Sequence, residues 1–278
     1  MAVDPTRSAD LVEIYSARTA LFVPGDRPDR FGKAAASGTD LVVCDLEDAV
    51  APGSKAEALE AVTGWLAGGA RACVRLNVSG TAEHVSELSR LKGLSGLVAV
   101  LVPKAEDPAQ LERIHEHVGV PVVPLIETAL GVARVMEVAA AGGVARLGFG
   151  HLDYSVDIGS GTGRVAMLHA RSAVVLASRV AGLPGPFDGV TPDLDDDAKV
   201  ADDAAYARDL GFTGKLLIHP RQVAPARETF TPSTEQVAWA RRVVAASEQG
   251  GAVRVDGAMV DAPVVARAVR VLRQSRGA

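Results

Sequence analysis

Cysteine is scarce: two residues in 278, too few for a disulfide framework. Both sit inside apolar runs, Leu41-Val-Val-Cys44-Asp45 and Ala72-Cys73-Val-Arg75-Leu76, and so read as buried free thiols of a reducing compartment. No cluster of His and Cys has metal-ligand spacing, which argues against zinc. Lys and Arg are scattered, and 29 of them against 34 Asp and Glu give a formal charge of −5, so a nucleic-acid footprint is lacking. No apolar stretch approaches the roughly 18 residues of a membrane span. The first residues are polar and carry Asp4, Asp10 and Glu13, without the apolar centre of a signal peptide. These absences predict a soluble cytoplasmic protein with neither nucleic acid nor membrane as partner.

What the chain has is apolar residues, 48% of the total, enough for a large core. Its length suits one closed α/β barrel of about 250 residues. Short β-branched runs alternate with Ala-rich amphipathic segments, the pattern of a parallel sheet covered by helices. Strands are expected near 20–24, 41–45, 72–76, 97–102, 121–126, 145–149, 186–190 and 214–218, and eight of them predict a (β/α)8 TIM barrel. Helices are expected near 27–37, 54–67, 82–91, 107–117, 129–140, 165–182, 195–210 and 220–228. Gly38, Gly93, Gly119, Gly142, Gly182 and Gly211 follow helical runs and mark left-handed turns. Beyond the eighth unit, Pro232-Ser-Thr-Glu starts a helix capped by Ser233 or Thr234 and running to about Gln249. A Gly-rich segment, 250–261, and a last helix, 262–274, complete a C-terminal helical extension. The organisation expected is a catalytic barrel over 1–230 and an extension over 231–278.

In such a barrel the reacting groups sit where strands end. Asp45, Glu47 and Asp48 follow strand two, Arg75 and Asn77 strand three, Lys104 strand four, Glu127 strand five, and Asp153 strand six. Glu127 and Asp153 close consecutive strands, so both carboxylates emerge at one edge and can share a hard cation. Five carboxylates on one rim repel unless a cation neutralises them. Mg²⁺ fits, since it takes one or two carboxylates and fills its octahedron with water and substrate oxygens. The plainer reading of Glu127 is an acidic residue near a helix N-terminus, and of Asp153 a loop or capping residue. Arg75 offers a planar fork to a substrate carboxylate, or forms an internal ion pair with Asp45, Glu47 or Asp48. Asp45 and Glu47 alternate along a strand end and face one way, one suited to a metal-bound water and the other to Arg75. Arg18, before strand one, is a weaker substrate-binding candidate or a surface residue. Lys104 would act as a Schiff-base lysine only if buried. His219 is either a base or a satisfied structural histidine. Gly159-Ser-Gly-Thr-Gly163 lacks the Lys-Ser or Lys-Thr of a phosphate loop and reads as a flexible active-site loop.

Six ordered motifs, Arg18-Thr-Ala-Leu-Phe-Val-Pro-Gly25, Asp45-Leu-Glu-Asp-Ala-Val50, Val74-Arg-Leu-Asn77, Val102-Pro-Lys104, Leu125-Ile-Glu-Thr128 and Gly214-Lys-Leu-Leu-Ile-His-Pro220, make the chain resemble the citrate lyase β-subunit family, within the wider group of HpcH/HpaI-type aldolases and malyl-CoA lyases. The resemblance continues through Phe230-Thr-Pro-Ser233 and Asp256-Gly-Ala-Met-Val-Asp261. It implies a Mg²⁺-dependent lyase of citryl, citramalyl or malyl thioesters, carried on CoA or on an acyl carrier, and a homo-trimer or hexamer. By motif, Glu127 and Asp153 fall on metal ligands and Arg75 on a substrate-carboxylate arginine. Asp45 and Glu47 fall on acidic residues supporting the metal waters and that arginine. Asp261 matches an aspartate that the C-terminal segment brings over a neighbouring subunit's site. Lys33 or Lys55 and helix N-termini are candidates for CoA phosphates. The chain departs from the common pattern in reading Gly150-His-Leu-Asp153-Tyr154 where many relatives have Gly-Ala-Glu-Asp-Leu, and Thr19 where Ser is common. Rival activities are a class II pyruvate aldolase on free hydroxy-keto acids, a malyl-CoA thioesterase, and a non-catalytic subunit.

Overall fold

A computed structural model describes residues 5–248 and 253–275. A first helix, α1 (Pro5–Ser16), leads into β1 (Thr19–Pro24), α2 (Pro28–Ala35), β2 (Leu41–Asp45), α3 (Lys55–Ala67), β3 (Ala72–Arg75), α4 (Ala82–Leu91) and β4 (Leu97–Val102). Next come α5 (Pro108–Val118), β5 (Val122–Ile126), α6 (Ala129–Ala133), α7 (Val135–Ala140), β6 (Gly148–Phe149) and α8 (His151–Asp157). Then follow α9 (Arg164–Val180), β7 (Phe187–Asp188), α10 (Asp197–Leu210), β8 (Gly214–Leu217) and α11 (Val223–Phe230). The strands pair in parallel and in sequence order, and β1 meets β8 to close the barrel. This is the expected TIM barrel.

Local chemistry explains the helix ends. Thr81 accepts a hydrogen bond from the His84 amide to start α4, and Asp107 does the same from Ala109 ahead of Pro108 at the start of α5. The left-handed turn expected at Gly142 is made by Gly143 instead, at φ 83°. There a side chain has no room, because a β-carbon would lie 2.1 Å from the His115 ring.

The barrel interior is filled by side chains such as Val43, Cys73, Leu101, Val123 and Phe187. Cys44 and Cys73 are both free and buried. Burial pushes the Cys44 thiol up to about 12, so it stays an inert thiol at neutral pH. At the N-terminal end of the barrel, Ile14 and Ala17 join the core. Arg146, fully buried, donates to the carbonyls of Ile14 (2.8 Å), Ala17 (2.6 Å) and Gly185 (2.8 Å) and stacks 3.6 Å from the centroid of the Phe187 ring. Burial lowers its pKa to about 9, which leaves it charged at neutral pH, and carbonyl oxygens stand in for the water it lost.

The chain divides into two compact units, Met1–Arg227 and Glu228–Ala278. The second contains α12 (Thr234–Ser247), an antiparallel hairpin of β9 (Val253–Val255) and β10 (Ala258–Val260), and α13 (Ala262–Ser275). Ser233, one of the two expected caps, closes a capping box with Gln236 at the start of α12. Ala240, Val243 and Ala268 form the small core of this unit, flanked by Trp239, Val264 and Leu272. The expected helix end at Gln249 and the start of the Gly-rich segment at Gly250 lie outside the described residues. None of the described helices is long and apolar enough to cross a membrane.

Candidate active site

Strand register assembles the site. Asp45 and Arg75 are paired neighbours at the ends of β2 and β3. Ile126 pairs with Phe149 at the ends of β5 and β6, which sets Glu127 against Gly150, and α8 begins at the next residue. Asp153 lies in the first turn of that helix. The result is a cleft of about 380 Å³ at the C-terminal ends of the strands, lined by Asp45, Arg75, Glu127 and Asp153 and floored by apolar residues such as Phe22 and Leu216.

Arg75 is engaged on every nitrogen. Its Nε and Nη2 donate to the two carboxylate oxygens of Asp45 (2.7 and 2.6 Å), a bidentate fork. Its Nη1 donates to the exposed Asp48 (3.3 Å) and lies 2.9 Å from Glu47 Oε2. Its guanidinium also sits 4.9 Å from the centroid of the Phe22 ring. Burial alone would lower its pKa, but the Asp45 hydrogen bonds and the charges of Asp45, Glu47 and Asp48 raise it overall. The two readings of Arg75 therefore combine: the ion pair holds the guanidinium at the cleft wall. Asp45 also accepts from the Glu47 and Ala49 amides (2.9 and 3.2 Å), which shapes the loop after β2.

Glu47 and Glu127 are the electrostatically loaded groups. Burial pushes the Glu47 carboxyl up to about 7, against the pull of Arg75. Its Oε2 is buried and, despite the nearby guanidinium, accepts no hydrogen bond. Glu127, 2% exposed, is pushed up to about 8 by burial first and then by the negative charge of Glu47, with Asp153 adding to it. One of its oxygens, Oε1, accepts from the Lys104 amide at 2.8 Å. Carboxylates held this close in low dielectric resist ionising together unless a cation joins them.

Several expectations are redirected. Arg18 precedes β1, at the N-terminal end of the barrel and opposite the cleft, so the fold withholds it from substrate; its amide donates to Asp40 (2.9 Å). Lys104 is half-exposed rather than buried. Burial acts to lower its pKa, but Glu47 and Glu127 raise it overall, the reverse of what a Schiff-base lysine needs. Lys55, a candidate for CoA phosphates, has its ammonium on the Leu46 and Glu47 carbonyls (2.7 and 2.5 Å), where it braces the loop that carries Glu47. His219 is exposed at the end of β8 and takes the Arg221 amide on Nδ1 (3.3 Å). Asp261 belongs to the second unit, where its carboxylate accepts from the Val264 amide (3.1 Å) at the start of α13.

Sequence reasoning passed over one cleft residue, His151, whose ring lines the cavity. It also passed over the buried cluster beneath, in which Asp188 pairs with Arg171 (2.8 Å) and with the fully buried Lys215 (3.5 Å). The ends of β6 and β7 were the available signal.

The HpcH/HpaI aldolase/citrate lyase pattern matches residues 18–220, the whole barrel down to the end of β8. The chain belongs to the HpcH/HpaI aldolase/citrate lyase family. A citrate lyase subunit beta-like protein of Mycobacterium tuberculosis is 37% identical over 263 residues, spanning 92% of this chain and 94% of that one. An L-malyl-CoA/beta-methylmalyl-CoA lyase of Cereibacter sphaeroides is 33% identical over 300 residues, 93% and 94% of the two chains. Among solved structures, CitE of M. tuberculosis in complex with magnesium, acetoacetate and coenzyme A superposes with a TM-score of 0.80 at 36% identity, covering 94% of this chain and 98% of that one. CitE with magnesium and pyruvate gives 0.74 at 31% identity, with 92% and 98% covered. CitE of M. tuberculosis thus shares the fold of this chain.

Proposed function

We propose that this protein is a Mg²⁺-dependent carbon–carbon lyase that cleaves a 3-hydroxyacyl thioester, of citryl, citramalyl or malyl type, into a 2-oxo acid and an acyl thioester. The observation that carries the reading is the convergence of Glu127 and Asp153 with Arg75 on one cleft. The residues fit the metal. Glu127 is destabilised by Glu47 and Asp153, a repulsion that a cation would reverse. Among the described residues no group of three or more His, Cys, Asp or Glu is disposed to hold a metal unaided. That suits Mg²⁺, which keeps water and substrate oxygens, better than Zn²⁺, which needs a closed set of protein ligands. Glu127 and Asp153 would hold the ion, which when bound polarises the substrate's carboxylate and hydroxyl oxygens.

The chain's own groups do the rest. Arg75, kept in place by Asp45, gives Nη1 to the substrate carboxylate, which displaces the exposed Asp48. Glu47, with a pKa of about 7, is the proposed base that takes the hydroxyl proton. The C–C bond then breaks, its electron pair passing to the thioester half as an enolate while the hydroxyl carbon becomes the 2-oxo group. The enolate carbon must gain a proton, and Asp261 of a neighbouring subunit in a trimer or hexamer is the proposed donor.

The test is to incubate the purified protein with Mg²⁺ and malyl, citramalyl and citryl thioesters, following 2-oxo acid and free thiol. A 2-oxo acid without thiol release is the expected result. Thiol release would mean a hydrolase, cleavage confined to free hydroxy-keto acids an aldolase, and silence with Mg²⁺ bound a non-catalytic subunit.

A further inference from the structure

His151 is 7% exposed, lines the cleft, and makes no hydrogen bond through its ring. A buried polar ring without a partner is costly unless something else in the site engages it. The local geometry says which nitrogen is available. Nδ1 is wholly enclosed and lies over Gly189, where a β-carbon would come within 2.2 Å of it. Nδ1 has neither a donor nor an acceptor within reach, so only a proton carried on Nε2 can be donated to a partner. That nitrogen, not enclosed as Nδ1 is, is left for the cavity. Gly189, by lacking a side chain, gives the ring its place.

The substrate class of the preceding subsection, on which this step rests, carries a carboxylate, a hydroxyl and a thioester carbonyl around the bond that breaks. The carboxylate and the hydroxyl have partners in Arg75, Glu47 and the carboxylate pair. The thioester carbonyl has none, although the electron pair of the breaking C–C bond ends on its oxygen. Arg75 is committed to Asp45, and Lys215 donates to the Gly189 carbonyl beneath the ring (2.5 Å). We infer that His151 is a catalytic residue whose Nε2–H donates a hydrogen bond to the thioester carbonyl oxygen and stabilises the enolate that forms there.

Enolate formation can be read apart from cleavage. Acetyl-CoA and propionyl-CoA, incubated with the protein, Mg²⁺ and pyruvate in heavy water, exchange the hydrogens next to the carbonyl when the site supports the enolate. His151→Leu and His151→Phe remove the donor, the second keeping a ring of similar shape if the first fails to fold. The expected result is a fall in exchange of about 10²–10³-fold, typical for loss of one oxyanion donor, with Mg²⁺-dependent pyruvate binding by calorimetry unchanged. His151→Gln, which offers an amide N–H, should restore part of the exchange. Exchange unchanged in both donor-free variants overturns the inference. So does loss of pyruvate binding in a folded variant, which would put the ring on the oxo-acid half, and so does a wild type that binds pyruvate with Mg²⁺ yet exchanges neither thioester. A wild type that neither binds pyruvate with Mg²⁺ nor cleaves any thioester would instead remove the underlying lyase reading, and this assignment with it.

Discussion

Gly150 and Glu127 share a space that admits only one side chain: a β-carbon on Gly150 would lie 2.2 Å from Glu127 Oε2 and 2.6 Å from its Cβ. The glycine at the end of β6 is therefore what allows the β5 carboxylate to reach the cleft. Gly150→Ala should push that carboxylate aside while the barrel still folds. Overpacking of this kind costs about 1–3 kcal/mol, so Mg²⁺ affinity measured by calorimetry should fall about 10-fold or more. Unchanged affinity would separate Glu127 from the metal.

Arg75 should tolerate neither loss of charge nor loss of its fork. Arg75→Met leaves the buried Asp45 without its partner, at a cost of about 3–5 kcal/mol, or a drop in melting temperature of roughly 10 °C. Arg75→Lys keeps the charge but cannot bridge both oxygens of Asp45 and still reach the cleft. It should keep most of the stability and lose about 10²-fold in kcat/KM. Equal loss of stability in both variants would make Arg75 a structural residue only.

Proton uptake by the two raised carboxyls sets a sign for pH dependence. Burial holds Glu47 at about 7 and Glu127 at about 8, both above their value of about 4.3 in an unfolded chain. Between about pH 4.5 and 8 the metal-free folded state keeps protons that the unfolded chain has lost, so these groups make stability fall as pH rises through that window. Glu127→Gln removes the larger contribution. Its advantage over wild type in metal-free melting temperature should be near zero at about pH 5 and grow towards about pH 8. Mg²⁺, which needs the carboxylates ionised, should bind wild type more tightly as pH rises to about 8 and release protons below it. A metal-free difference that shrinks with pH would contradict this account.

Which parts of this were readable in advance follows from how local their causes are. Asp45, Arg75 and Glu127 each close a run of buried apolar residues, so period and composition reveal both the strand and its last polar residue. The hairpin of the second unit had a local signal too, Asp256-Gly257, and both residues adopt the positive φ that a two-residue turn requires. The short flanking strands hid it. By contrast α8 turns Leu152 and Val156 outward, so its apolar pattern does not mark a buried face. Helix α1 is polar in sequence and is fixed in part by Arg146, 129 to 132 residues away. Nor does any local feature reveal that Lys215, in a strand, finds Asp188 27 residues earlier. His151 escaped for the same reason, since its place depends on Gly189 in the next strand.

Lys104 separates backbone from side chain in the support of the site. Its φ of 46° is in the left-handed region, which costs a residue with a β-carbon about 1–2 kcal/mol, and in that conformation its amide reaches Glu127 Oε1. Glycine relieves the strain, offset in part by about 0.4–1 kcal/mol of added freedom in the unfolded chain. Lys104→Gly should therefore be at least as stable as wild type, and Lys104→Ala less stable than the glycine variant. Both keep the amide and lose the ammonium, which lies 3.6 Å from Glu47 Oε1 and lowers its pKa. Without that charge Glu47 should protonate at higher pH, and the acidic limb of the kcat/KM profile should move upward equally in the two variants. A limb that stays put in both would mean that Glu47 is not the base. A shift in Lys104→Ala alone would mean that the strained backbone, rather than the ammonium, tunes the site.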